Sequence, residues 1–314
     1  MRSGLAKAAA AIGGGGAAVA GGLALVNRLL LLDDLPPTLP GANQDWLWRG
    51  WRVRAVSLGT GPPIVLVHGV HAAASSFEMR GIFEPLSQRY TVYAVDLLGF
   101  GKSERPAAPY SGEFYAELLT AFLGEVVGGP AVMIGSSLSA AYAIEAARLR
   151  PSLVERLVLI SPTGTTRPGV FRRAFGRLLA LPLVGSAAFN VLASRASIQS
   201  YLRRAYADPS LVDDPLVEQH WATSHQPNAR LAAAAFVGGG LDLPFDRSSV
   251  PVAVPILVVR GSVPGIGAQA SDAELRALGP DVTIETIDGA GQLPHDEAPD
   301  RMLALLDGWL AAGR

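Results

Sequence analysis

One serine lies where the chain is best suited to nucleophilic chemistry. The segment GSSLS at residues 135–139 falls between a predicted strand at 131–134 and a predicted helix at 139–149. A strand-turn-helix of the form G-x-S-x-G exposes the hydroxyl of its central serine for attack on a carbonyl carbon. Ser137 is therefore the candidate nucleophile, and Ser136 is expected beside it in the same pocket.

Backbone amides that could stabilise an oxyanion are expected at two points. Val70 follows His68 and Gly69 at the end of an apolar strand, and Leu138 follows the candidate nucleophile. Attack on a carbonyl creates negative charge that such N–H groups stabilise. We predict that Val70 and Leu138 are the donors and that Gly69 and His71 line the pocket. His68 is expected to fix its loop by hydrogen bonds rather than to transfer a proton.

Strands and helices alternate on both sides of these residues. Apolar, β-branched runs predict strands at 63–67, 91–95, 131–134 and 156–160, and helical patterns lie between them at 77–88, 115–127 and 139–149. Such alternation is typical of a mostly parallel sheet flanked by helices, the α/β class. Residues 164–245 interrupt it with helix-like stretches. The strands resume at 255–259 and 282–287, and a closing helix is predicted at 300–310.

Five motifs together give the chain a resemblance to the α/β-hydrolase superfamily, specifically its cap-bearing esterase, lipase and C–C hydrolase branch. They are VLVHG, DLLGFGKS at 96–103, GSSLS, SPTG, and GAGQLPHDEAP near the end. The resemblance covers roughly residues 45–312. It implies an α/β-hydrolase core at 45–163 and 246–314, with a helical cap at 164–245.

The chain departs from this family at two of the three catalytic positions. The family's acid lies in a G-x-x-D segment after the strand at 255–259, and Pro264 stands there. Its base lies in a G-H-x-x-x-x-E-x-P segment whose register Glu297 and Pro299 define, and this register places Gln292 where histidine is expected. Serine must pass its proton to a neighbouring base. A neutral amide cannot hold that proton near pH 7.

Other residues could replace the missing base. His295, three positions after Gln292, is a possible displaced base, and His71, His220 or His225 could reach the pocket. No acid follows the strand at 156–160 to replace the missing Asp. We expect Asp272 and Asp296 to be surface or cap residues.

Two functions remain open from the sequence. One is a catalytically impaired or non-catalytic protein, a pseudoenzyme that binds a small apolar ligand or a protein partner in its pocket. The other is an active serine hydrolase, esterase-like, that uses Ser137 on a carboxylic ester or related carbonyl substrate with a relocated base such as His295.

Composition excludes several other classes. Lys+Arg number 26 and Asp+Glu 27, with no basic run, so nucleic acid is not expected as a partner. The chain has no cysteine, which excludes disulfides and thiolate chemistry. Asp96 and the glycines after it are interpreted as a tight turn. No phosphate-binding loop or ligand cluster accompanies them, so we predict no cofactor and no metal.

The N-terminal segment, residues 1–34, contains an uncharged stretch of small and apolar residues at 8–26. Its length is near the minimum for a membrane span, and a cleaved signal peptide or a soluble arm are the alternatives. Arg2 and Lys7 before it favour an anchor with the main domain outside the cytoplasm. A secreted or cytoplasmic protein remains the alternative. A proline-rich linker is predicted at 35–44.

Overall fold

The computed structural model describes residues 20–32, 35, 39–163 and 169–312. Within these ranges eight strands form one sheet in the order β1-β2-β4-β3-β5-β6-β7-β8. The strands are β1 Ala42–Trp48, β2 Trp51–Leu58, β3 Pro63–Val67, β4 Thr91–Val95, β5 Ala131–Ser136, β6 Val154–Ile160, β7 Ile256–Gly261 and β8 Val282–Ile287. The pairs β1–β2 and β2–β4 are antiparallel, and the other five pairs of neighbouring strands are parallel. The predicted α/β class with a mostly parallel sheet is confirmed.

Helices flank this sheet and follow the predicted alternation. The first, α1, covers residues 20–29. The others are α2 Arg80–Ser87, α3 Gly112–Phe122, α4 Ser139–Leu149, α5 Val170–Ala180, α6 Val184–Leu192, α7 Arg195–Ala205, α8 Asp214–Ser224, α9 Arg230–Val237, α10 Asp272–Arg276, α11 Pro294–Glu297 and α12 Pro299–Ala311. Short 3-10 turns lie at Ser76–Met79, Pro151–Leu153, Pro209–Leu211 and Phe245–Arg247, and a π-turn at Leu123–Val127.

Strand β3 shows why the sheet is buried on both faces. Successive side chains of a strand point to opposite faces. Val65 and Val67 pack in the core on one side, and Ile64 and Leu66 pack in the core on the other. All four are fully buried. The continuous apolar run in the sequence is thus the pattern of a strand covered by helices on both sides.

Helices α5 to α9 lie between β6 and β7 and cover the carboxyl ends of the strands; we call them the cap. Their sequence is the helical stretch at 164–245, of which residues 164–168 lie outside the described ranges. Residues 8–19 of the apolar N-terminal stretch and residues 36–38 of the linker also lie outside them. Among the described residues no single helix is long and apolar enough to cross a membrane.

Candidate active site

Ser137 occupies a sharp turn between β5 and α4. Its backbone φ is 52°, a left-handed conformation that costs energy for a residue with a side chain. The turn is held by a hydrogen bond of 2.8 Å from the Ser137 amide to the Ile160 carbonyl. A Cβ at Gly135 would come within 2.9 Å of the Ser139 carbonyl oxygen, so glycine is required there. The geometry is that of a nucleophile elbow.

Ser139, in place of the usual final glycine, connects the elbow to the loop after β3. Its hydroxyl donates a 2.7 Å hydrogen bond to the His68 carbonyl. The His68 ring is also fully engaged, because Nδ1 donates to the Gly69 carbonyl at 2.7 Å and Nε2 accepts from the Leu97 amide at 3.1 Å. His68 therefore orients the loop and has no ring nitrogen left for proton transfer.

Val70 and Leu138, the residues expected to supply oxyanion donors, lie on the loop after β3 and directly after Ser137. Val70 lines the same small cavity as Ser137, and both Val70 and Leu138 are buried. Within the described ranges neither amide has a hydrogen-bond acceptor. Two buried N–H groups without partners are costly unless a ligand or water accepts from them. The arrangement can bind a carbonyl or carboxylate oxygen.

The hydroxyl of Ser137 forms its hydrogen bond with another hydroxyl, that of Thr163. Ser137 Oγ lies 2.9 Å from Thr163 Oγ1, on the loop after β6. Gln292 lines the cavity with Ser137 and is buried, and its side-chain oxygen has no hydrogen-bond partner among the described residues. The structure thus brings Ser137 and Gln292 to one cavity, and the side chain that hydrogen-bonds to the serine hydroxyl is Thr163.

Pro264 lies on the loop after β7 and is exposed. The following residue, Gly265, packs against Gln292 so closely that a Cβ there would lie 2.2 Å from Gln292 Oε1. The loop therefore passes beside the position of the expected base, as it would in a triad, but Pro264 supplies no carboxylate to it.

His295 is absent from the lining of the cavity that contains Ser137, as far as the described residues show. It is fully buried, and its Nε2 lies 3.5 Å from Glu78 Oε1, an electrostatic contact longer than a good hydrogen bond. Both carboxylate oxygens of Glu78 accept from the Gly69 amide, at 3.0 and 3.1 Å. Burial disfavours the ionised carboxylate, yet His295 and, to a lesser degree, Ser136 outweigh it and lower the pKa of Glu78 to about 2. His295 thus contacts the carboxylate that holds the Gly69 amide on the loop after β3.

Two other histidines do line the serine cavity. The rings of His71 and His220 stack with centroids 5.5 Å apart, and Tyr201 packs on His71 at 5.1 Å. Burial, with the charge of His220, lowers the pKa of His71 to about 3, and burial lowers that of His220. Both are neutral at pH 7. His71 Nδ1 accepts from the Ala73 amide, so its proton is on Nε2.

His220 has the opposite arrangement. Its Nδ1 lies 2.8 Å from the Leu216 carbonyl, which can only accept, so Nδ1 carries the proton and Nε2 carries a lone pair. His225, the fifth histidine of the chain, lies elsewhere: its Nδ1 donates to the Trp221 carbonyl at 2.8 Å and it lines neither cavity described below.

Two cavities meet at the stacked rings. The one that contains Ser137 has a volume of about 20 Å³, room for about one water molecule. The other, of about 490 Å³, lies under the cap and is lined mainly by apolar residues, among them Ala73, Leu192, Ile198, Phe236 and Val237. His71, Tyr201 and His220 line both. These three rings separate the larger cavity from the serine.

The expectation that Asp296 is a surface or cap residue is wrong. Its side chain is 4% exposed and pairs with Arg80 at 2.5 Å. Tyr206, after α7 of the cap, donates its hydroxyl to the same carboxylate. Asp296 therefore joins the core to the cap beside the serine cavity. Asp272 is half exposed and pairs with Arg260 at 2.7 Å, as a surface residue would.

Asp96 organises a turn. Its carboxylate accepts the Ser76 amide at 2.7 Å and the Lys102 amide at 2.8 Å. Gly101, at φ 51°, lies so close that a Cβ would reach within 2.1 Å of this carboxylate. Across the described parts of the chain, no three His, Asp or Glu side chains converge as metal ligands.

Comparison with known proteins agrees with this geometry. The model of the alpha/beta hydrolase family matches residues 64–305, and the chain belongs to this family. An uncharacterised protein of Mycobacterium tuberculosis is 30% identical over 291 residues, 88% of this chain and 82% of that one. The 2-(acetamidomethylene)succinate hydrolase of Mesorhizobium japonicum is 28% identical over 258 residues, 81% of this chain and 90% of the relative.

Solved structures show the same fold. An epoxide hydrolase, CorEH, superposes with a TM-score of 0.73 at 18% identity and covers 87% of this chain and 99% of its own. The meta-cleavage product hydrolase CumD of Pseudomonas fluorescens IP01 gives 0.72 at 20% identity, over 86% of this chain and 98% of its own. The resemblance to the α/β-hydrolase superfamily is thereby confirmed.

Sequence reasoning did not single out two residues of the site. Thr163 stands in the SPTG motif, but nothing in that motif says that its hydroxyl meets Ser137. Glu78 lies in a predicted amphipathic stretch, where a carboxylate is usually solvated. A Cβ at Gly69 would come within 3.0 Å of Glu78. The glycine after His68 was therefore the one available signal that another group approaches this loop.

Proposed function

We propose that this member of the α/β-hydrolase family has lost efficient ester hydrolysis and binds a small apolar molecule under its cap. The observation that carries the proposal is the hydrogen bond of Ser137 Oγ to Thr163 Oγ1, with Gln292 in the same cavity at the position where the family's histidine is expected. A threonine hydroxyl is no stronger a base than the serine hydroxyl, so it does not activate the nucleophile.

Loss of the catalytic histidine lowers the rate of a serine hydrolase strongly. In subtilisin, removal of the catalytic histidine lowers kcat by about 10⁶-fold, and the oxyanion hole and binding retain a rate about 10³ to 10⁴-fold above water. We expect Val70 and Leu138 to supply the oxyanion hole here. The protein is expected to bind a carbonyl group well and to turn it over poorly.

The larger cavity under the cap, which we call the cap cavity, supports the proposed binding of a small molecule. Its volume of about 490 Å³ falls within the size range of small-molecule sites, and such sites combine an apolar lining with a few polar groups. Here His71, His220 and Tyr201 supply the polar groups at the end nearest Ser137. A molecule with an apolar body and one hydrogen-bonding end matches this lining.

Restoration of the triad tests the catalytic half of the proposal. The double variant Gln292→His, Pro264→Asp should raise turnover of p-nitrophenyl esters at least about tenfold over wild type. Addition of Ser137→Ala to the restored protein should abolish the gain. Equal, Ser137-dependent turnover by wild type and the double variant would show that the serine already has a base.

Cavity filling tests the binding half. Ala196 is exposed and lines the cap cavity. Ala196→Trp should weaken binding of the apolar fluorophore N-phenyl-1-naphthylamine at least about fivefold, because the indole occupies part of the cavity. Ala311→Trp, at the exposed end of α12, is the matched control and should bind the dye as wild type does.

A second candidate function is an active serine hydrolase with a relocated base. The specific observation in its favour is His220, a neutral imidazole that lines the serine cavity, with Nδ1 held by Leu216 and a lone pair on Nε2. The hydrolase relatives support this class. Under this reading His220→Gln removes all Ser137-dependent activity, whereas His295→Gln acts through stability alone.

A further inference from the structure

An unusual number of large apolar side chains lie exposed on α1 and on the adjacent part of the cap. Leu29 is 74% exposed and Val191 73%. We call this region the α1–α6 surface; its exposed apolar residues are Leu25, Val26, Leu29, Leu31, Leu181, Leu183, Val184, Val191 and Leu192. A contiguous apolar patch of this kind marks an interaction site.

Hydrogen bonds fix α1 against α6 and make these residues one surface. Asn27 Nδ2 donates to the Leu183 carbonyl at 3.2 Å, and Asn190 Nδ2 donates to Asn27 Oδ1 at 2.8 Å. Beyond α1, the Leu32 amide donates to the His225 carbonyl at 2.9 Å. The side chains of Asn27 and Asn190 thus form the hydrogen bonds between α1 and α6. The exposed leucines and valines of the two helices face outward.

Arginine is the commonest charged residue in this part of the chain. Residues 169–207 contain six arginines and no Asp or Glu, and Arg2, Lys7 and Arg28 precede the two acids Asp33 and Asp34. Arg172 and Arg195 pair with acids from elsewhere. Arg28 and Arg203 are exposed and have no acidic partner in the ranges that the structure describes.

We propose that the α1–α6 surface docks on an anionic lipid bilayer, with its apolar residues in the interface and its arginines at the headgroups. Exposed apolar groups accompanied by a cation, here Arg28 on α1, are the pattern of interfacial binding, and each cation near an anionic surface adds to the attraction. A second copy of this chain fits less well, because two such surfaces would repel each other.

Two further observations favour the bilayer. The uncharged stretch at 8–26 leads directly into α1, so the chain before the surface is itself apolar. Helices α5 and α6 are together long and apolar enough for a membrane, and they meet at 111°.

Docking would also place the cap cavity at the membrane. Leu192 belongs to the α1–α6 surface and lines that cavity. An apolar ligand could then enter from the bilayer. This consequence rests on the proposed function, whereas the docking itself does not.

The absence of cysteine allows a direct test on the full chain. Leu29→Cys and Val191→Cys are each labelled with the environment-sensitive dye NBD, and Leu47→Cys, 69% exposed on the distant edge strand β1, is the matched control. Vesicles of phosphatidylglycerol and phosphatidylcholine should shift the emission of the first two dyes to the blue and leave the third unchanged.

The protein should bind vesicles of phosphatidylcholine alone at least about tenfold more weakly than the anionic vesicles. The double variant Arg28→Glu, Arg203→Glu should bind the anionic vesicles at least about tenfold more weakly than wild type does. No shift at Leu29 and Val191, or an equal shift at Leu47, overturns the proposal. A shift without vesicles that grows with protein concentration would also overturn it and identify a second copy as the occupant. Apolar-dye binding by Ala196→Trp tests the cavity separately, so the two proposals can fail independently.

Discussion

Ser137 Oγ lies 2.9 Å from Thr163 Oγ1, and this contact joins the turn after β5 to the loop after β6. The Thr163 amide also donates to the Ser137 carbonyl, at 3.4 Å. Side chain and backbone thus hold the serine in a single arrangement. The nucleophile position is well ordered, but its partner is a hydroxyl that has no more capacity to take a proton than the serine itself.

Thr163→Val removes that partner while keeping a β-branched side chain. The loss of one partly buried hydrogen bond should lower the free energy of unfolding by about 1 kcal/mol. It supplies no base, so reaction of Ser137 with a fluorophosphonate should be no faster than in wild type. Urea denaturation and labelling rates measure both effects, and a marked acceleration would show that Thr163 restrains an otherwise active serine.

Glu78→Gln tests the buried carboxylate that accepts the Gly69 amide on the loop after β3. Because the pKa of Glu78 is lowered to about 2 from an ordinary 4.5, the folded state favours the ionised form. Its contribution to stability is complete above pH 4.5 and is lost as the pH falls toward 2. The variant should be destabilised by roughly 3 kcal/mol at pH 7, and the difference should narrow at pH 3. A difference that is constant with pH would contradict this account.

His71 should make the protein sensitive to mild acid. Its pKa is lowered from 6.5 to about 3, so the unfolded chain takes up a proton that the folded protein refuses. His71 does not reduce the free energy of unfolding above pH 6.5. Below that pH it lowers the free energy of unfolding by up to about 1.4 kcal/mol per pH unit, as the pH drops toward 3. His71→Phe keeps a ring in the stack and should reduce the slope of urea-derived stability between pH 7 and 5; the part due to His220, whose pKa burial also lowers, should remain. An unchanged slope would contradict the assignment.

Asp296 should matter far more to stability than Asp272. Asp296→Ala leaves Arg80 and Tyr206 without their shared carboxylate, and loss of such a buried partner costs about 3 kcal/mol or more. Asp272→Ala removes a half-exposed ion pair with Arg260 and should cost less than about 1 kcal/mol. Urea denaturation of the two variants side by side checks the ranking, which equal losses would refute.

The fold was predictable because its signals are local. The apolar run of β3 and the small residues of GSSLS specify a buried strand and a tight elbow wherever they occur. Gln292 lines the cavity that contains Ser137, and its register in the sequence rests on Glu297 and Pro299. Those inferences needed only spacing along the chain.

The contacts between distant segments were not predictable. Asp296 follows His295 in a motif that says nothing of Arg80 or Tyr206, and its burial depends on how the cap descends on the core. The stacking of His71 on His220 likewise joins the loop after β3 to α8. Side-chain partners of this kind are set by tertiary packing. The residues of such a pair have no characteristic spacing along the chain, so a single sequence does not reveal them.

The most direct test of the central claim is the rate at which a fluorophosphonate labels the purified wild-type protein. The account predicts labelling no faster than that of Ser137→Ala, and clear Ser137-dependent labelling once Gln292→His and Pro264→Asp are introduced. Rapid labelling of wild type that is lost in Ser137→Ala would contradict it, because only a serine with a working base reacts in this way.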